Sequence, residues 1–93
     1  MLFIVSWTAR PEHRDAATDR FLKTGGMPPD GAKLISRWHA VGPIAGFAIA
    51  EASDAAVMQK WVLDWSDLLS MEVHVAVTDE QLGPLLAAVR GKA

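Results

Sequence analysis

The sequence predicts one α+β domain over residues 1–93, in which strands and helices alternate as βαββαβ and a further helix closes the chain. Three observations predict it. A chain of 93 residues is long enough for one core and too short for two. Short apolar runs near residues 2–8, 32–41, 44–52 and 71–78 read as strands, and two stretches with apolar residues at helical spacing separate them. The punctuation is all short turns, with no repeat, low-complexity tract or interdomain linker.

Each element follows from its residues. Leu2 to Thr8 is apolar at nearly every position, which suits a strand covered on both faces. A helix is predicted from about Arg14 to Thr24, with Ala17, Phe21 and Thr24 on one face. Gly25-Gly26 ends it, because glycine takes the left-handed conformation freely. Met27-Pro28-Pro29-Asp30-Gly31 is a turn. Strands follow at Ala32–Val41 and Ile44–Ala52, joined at Gly42-Pro43. Ser53-Asp54 caps the strongest helix, predicted to about Leu69, with Met58, Trp61, Trp65 and Leu68 on its apolar face. Met71 to Thr78 alternates as a fourth strand. Thr78 and Gln81 have capping-box spacing. Pro84 would clash inside a helix begun there, so the sequence predicts a turn at Asp79 to Leu82 and a regular helix from near Pro84.

Right-handed crossovers place both internal helices on one face of an antiparallel sheet of order 4-1-3-2. This is the ferredoxin-like, split-βαβ arrangement. Two helices cover one face only. Strand one is apolar on both sides, with Leu2 and Ile4 on one and Phe3, Val5 and Trp7 on the other. Strand three also has two apolar sides. A soluble monomer rarely leaves such a face bare. A second copy packed sheet against sheet, as a dimeric α/β barrel, is the expected cover. The rival is the C-terminal helix folding over that face.

Composition narrows the function. Nine Lys and Arg against eleven Asp and Glu give a net charge of -2, which argues against a nucleic-acid partner. Cysteine is absent, so thiolate nucleophiles and thiolate metal sites are excluded. No apolar run reaches a membrane span, and no signal-type leader is visible, so a cytoplasmic protein without a membrane partner is expected. Nucleophile-elbow, phosphate-loop and dinucleotide motifs do not occur.

Met1-Leu2-Phe3-Ile4-Val5-Ser6-Trp7, Arg20-Phe21-Leu22 with Thr24-Gly25-Gly26, Pro28-Pro29-x-Gly31, Arg37-Trp38-His39 and Trp61-x-x-x-Trp65-Ser66-Asp67-Leu68-Leu69 together resemble a small bacterial family catalogued as a domain of unknown function, within the dimeric α/β-barrel, ferredoxin-like superfamily. The resemblance runs from residue 1 to about residue 80. It implies the fold and a homodimer and carries no activity. The wider superfamily includes cofactor-independent monooxygenases, polyketide cyclases and isomerases, many of which hold a flat apolar ligand.

Four groups of residues are candidates for chemistry. Alternation puts Arg37 and His39 on one face of the second strand, where histidine would move protons and arginine would hold an oxyanion. Glu72 and His74 share a face of the fourth strand about 6.6 Å apart, so the carboxylate would orient the imidazole as a base. A dimer would bring His74 of one chain towards His39 of the other. Trp7, Trp38, Trp61 and Trp65, with Phe47, are candidate walls for a flat ligand, and Glu51 is a candidate acid or base. Beside each stands a structural reading: an edge-strand histidine at a hairpin, exposed or bonded to a backbone carbonyl, a polar interface pair, core tryptophans and a solvated strand end. No histidine has recognised metal spacing, so neither a metal nor an organic cofactor is expected. The expected function is binding of a small apolar or aromatic, polyketide-like molecule, with cofactor-independent acid–base chemistry of cyclase, isomerase or monooxygenase type if the protein is an enzyme. The alternative is a non-catalytic ligand-binding or interaction module.

Overall fold

The computed structural model describes residues 1–91. In chain order the elements are β1 (Leu2–Thr8), α1 (Arg14–Thr24), β2 (Ala32–His39), β3 (Ala45–Ala52), α2 (Ala55–Trp65), β4 (Ser70–Ala76) and α3 (Asp79–Gly91), with a 3-10 turn at Pro11–His13. The strands form one antiparallel sheet ordered β2-β3-β1-β4, which is the predicted order read from the other edge. No helix among the described residues is long and apolar enough to cross a membrane.

The core lies between the sheet and its two covering helices. Phe3 and Val5 of β1 are buried beneath Met58, Trp61 and Trp65 of α2. Two tryptophans need room, and β3 provides it: Gly46, Ala48, Ala50 and Ala52 all point to that face and are all buried. Alanine is a poor strand former, so its use here is explained by space. Full burial of Phe3 and Met58 is worth about 2–3 kcal/mol each. Asp54 caps α2 by accepting from the Ala56 N–H at 2.8 Å.

The two helices are clamped at one end. Arg20 donates to both carboxylate oxygens of Asp67, at 2.8 and 2.7 Å, and to the Asp64 carbonyl at 2.9 Å. Its guanidinium also stacks 5.3 Å from the centre of a Trp65 ring. The hydrogen bond from Arg20 holds the Asp67 carboxyl below its usual range, and the same bond raises the arginine.

A bulge in β2 decides which face its last residues occupy. Leu34 pairs with Ala50 on the helix side, and the register then shifts so that Ser36 pairs with Ile49. Ile35 is left without a partner. An uninterrupted strand would put Arg37 and His39 opposite the helices. The extra residue reverses the alternation, so Arg37 and His39 turn towards α1 and α2, while Ser36 and Trp38 turn away.

The C-terminal helix corrects one expectation. α3 is continuous from Asp79, with Pro84 inside it. Thr78 and Gln81 form the capping box in full: the Gln81 side chain accepts from the Thr78 N–H at 2.9 Å, and the Thr78 hydroxyl accepts from the Gln81 N–H at 3.1 Å. Pro84 removes only the bond to the Glu80 carbonyl, and Glu80 is exposed to water. Nor does α3 fold over the bare face, since every described residue of it is exposed. On that face Ile4, Trp38 and Phe47 remain 41%, 68% and 57% exposed.

Candidate functional site

One end of the sheet–helix layer carries an aromatic cleft. Trp7 projects from the end of β1, Phe21 from α1, Trp61 and Trp65 from α2, and Met71 from β4. Leu69 and Gly26 complete its wall, and among the described residues Arg37 and His39 are its only titratable groups. The bulge at Ile35 delivers both. The cleft holds about 60 Å³ of open volume. A dry cavity that takes up benzene measures about 150 Å³, so a ring enters this one by its edge or by displacing side chains at the mouth.

His39 stands at that mouth. Its ring is edge-on to Trp7, with centroids 5.9 Å apart, and to Phe21, at 5.7 Å. Its imidazole makes no hydrogen bond among the described residues. The other histidines are engaged: His13 Nδ1 lies 3.2 Å from the Leu68 carbonyl, and His74 Nε2 lies 3.6 Å from Glu72. A histidine held by aromatic edges with free ring nitrogens is suited to give or take a proton from a ligand.

Arg37 is fixed by the end of α1. Gly25 and Gly26 both take the left-handed conformation, at φ 76° and 61°, and present their carbonyls in succession. Arg37 donates to them at 2.9 and 2.7 Å. Its guanidinium lies 4.9 Å from the centre of the Phe21 ring. Burial lowers its pKa from the usual arginine value. The Thr24-Gly25-Gly26 stretch is therefore both a helix stop and the seat of the cleft's arginine.

The structure separates the predicted site residues into two groups. Trp7, Arg37, His39, Trp61 and Trp65 meet in the cleft. Trp38, Phe47, Glu51, Glu72 and His74 lie on the opposite face of the sheet, where Phe47 pairs with both Ser6 and Trp38. Within one chain His39 and His74 thus look away from each other. Phe21, Gly26, Leu69 and Met71 line the cleft without having been singled out. The helical spacing of Phe21 and the alternation of Met71 with Val73 were the available signals. No group of three metal-ligating side chains occurs among the described residues.

The model of a domain of unknown function, DUF3303, matches residues 1–90. The chain belongs to the DUF3303 family. No protein of curated function matches it. Two solved structures resemble this DUF3303 chain in fold. One is a candidate antibiotic biosynthesis monooxygenase of Deinococcus radiodurans, with a TM-score of 0.50 and 13% identity, covering 84% of this chain and 94% of its own. The other is Rv0793 of Mycobacterium tuberculosis, with a TM-score of 0.51 and 10% identity, covering 83% and 95%. At these identities the likeness concerns the ferredoxin-like fold alone.

Proposed function

We propose that this DUF3303 chain is a cytoplasmic homodimer that binds a small, flat, apolar or aromatic molecule of polyketide-like character in the aromatic cleft. The observation that carries this reading is the free imidazole of His39 at the mouth of a cleft walled by Trp7, Phe21, Trp61 and Trp65. The bare sheet face, with Ile4, Trp38 and Phe47 exposed, favours the second copy.

The chemistry proposed is acid–base and needs no bound cofactor. A hydroxylated ring slides its edge between the indoles and places an oxygen or an acidic C–H at His39. The imidazole takes the proton. The guanidinium of Arg37, locked by two backbone carbonyls, stabilises the phenolate or enolate left behind. Low polarity in the cleft strengthens that interaction. Cyclisation, isomerisation and oxygenation of the substrate anion all begin with this step. The likeness in fold to the candidate monooxygenase of Deinococcus radiodurans is compatible with it.

The second reading is non-catalytic binding, and the small volume of the cleft favours it. One variant separates the two. His39→Gln keeps the size of the side chain and loses the titrating group. Turnover of a hydroxylated aromatic substrate is expected to fall by about 100-fold or more, the usual worth of a general base, with affinity by tryptophan fluorescence within about threefold. Turnover that is indifferent to His39→Gln would remove the catalytic reading.

A further inference from the structure

We propose that α3 is an arm that crosses to the second copy, packs its leucine stripe on the partner's β2 edge, and sets Asp79 and Glu80 against the partner's Lys33. The inference rests on the dimer reading above and adds the arm to it.

A helix of 13 residues is about 20 Å long and marginal in water without a partner. Gly83 and Pro84 weaken α3 further. It is nevertheless amphipathic and capped at its N-terminus, with Leu85, Leu86 and Val89 exposed at 61%, 55% and 68%. The body gives it no surface. The molecule extends over 53 × 30 × 18 Å, with a radius of gyration of 16.0 Å, against about 12 Å for a compact chain of this length.

Area points to a second copy as the occupant. Ile4, Ile35, Trp38 and Phe47 leave of order 450 Å² of side chain bare on the open face. That falls short of the roughly 800 Å² per partner of a stable interface. Leu82, Leu85, Leu86 and Val89 add about 400 Å², so sheet and arm together reach it.

The register gives the direction of crossing. One row of the open face runs Ala76, Leu2, Glu51, Lys33 from edge to edge. A two-fold axis between the sheets and along the strands lays β4 of one copy over β2 of the other, row on row. Ala76 then meets the partner's Lys33, and α3 starts three residues beyond Ala76. Its first turn carries Asp79 and Glu80. The bulged Ile35, 49% exposed on the same edge, offers the leucines an apolar contact. Lys33 makes no ion pair among the described residues. The opposite crossing, β4 on β4, would leave Lys33 without an acidic neighbour across the interface.

Charge reversal tests the arm. Lys33→Glu, and separately Asp79→Lys with Glu80→Lys, each place like charges at both arm contacts of the dimer. Sedimentation is expected to show the dissociation constant of each raised by about tenfold or more, the worth of a like-charge contact. Mixing the two variants restores opposite charges at both contacts. The mixture is expected to return to within about threefold of the wild type. Chains too damaged to fold would not rescue one another, so rescue also controls for folding. A contact within one chain predicts no rescue on mixing, and that result overturns the arm. A wild-type dimer indifferent to every charge variant also overturns it and leaves the sheet-on-sheet dimer standing. A monomeric wild type removes both.

Discussion

Replacing Gly46 with alanine will destabilise the fold by about 3 kcal/mol and dismantle the cleft at the same time. Gly46 lies on the helix face of β3, opposite Trp7 of β1 and His39 of β2. A Cβ there would stand 2.5 Å from the Trp38 carbonyl oxygen and overlap the Trp7 indole, 2.8 Å from its Cε2. The backbone at Gly46 has no positive φ, so space alone requires the glycine. The carbonyl belongs to the paired strand and has nowhere to go. Trp7 must swing out, which removes one wall of the cleft and one aromatic edge that holds His39. Urea unfolding monitored by tryptophan fluorescence checks the stability, and ligand affinity is expected to be lost in the folded fraction. A variant within about 0.5 kcal/mol of the wild type, the range of an ordinary surface change, would contradict the packing described.

Phe47→Asp is expected to split the dimer while leaving each chain folded. Phe47 is 57% exposed and stands on the open face between Trp38 and Ser6. In a free chain the new carboxylate stays hydrated. In a sheet-on-sheet dimer it would be desolvated among Ile4, Ile49 and Trp38, with no cation in its row, at a cost of several kcal/mol. The dissociation constant should rise by at least about 100-fold, equivalent to about 2.8 kcal/mol. Sedimentation equilibrium reads this directly, and circular dichroism confirms that the sheet is retained. An unchanged dimer mass would place the interface elsewhere.

The fold was legible because its elements are short and strongly patterned. The strand at Leu2–Thr8 and the helix at Arg14–Thr24 have the predicted bounds. The predicted order of strands follows from the βαββαβ succession read as a split-βαβ pattern, with right-handed crossovers placing both helices on one face. α2 ends at Trp65 and not near Leu69, because the Leu68 N–H bonds to the Trp65 carbonyl three residues back and leaves the Asp64 carbonyl to Arg20. The apolar spacing continues past that point because Leu69 still packs on the core from the loop. At the C-terminus, Pro84 was the misleading residue, since a fully formed capping box outweighs one lost backbone bond that faces water.

The site was only half legible. Alternation paired Arg37 with His39 correctly and could not say which face they share. That depends on the bulge at Ile35, which leaves no mark in the composition of Leu34-Ile35-Ser36. The bulge also separates His39 from His74, which a regular strand would have left on one face. Gly25-Gly26 announced a helix end, but its second task of holding Arg37 depends on carbonyls brought together across eleven residues.

The four indole N–H resonances of the protein give the most direct test of the cleft as the ligand site. Trp7, Trp61 and Trp65 line it, and Trp38 lies on the other side of the sheet. Titration with a hydroxylated aromatic ligand, followed by ¹H–¹⁵N correlation spectra, should move the Trp7, Trp61 and Trp65 signals with the His39 ring and leave Trp38 in place. Movement of Trp38 and His74, with the other three indoles silent, would put the ligand against the open face and contradict the account.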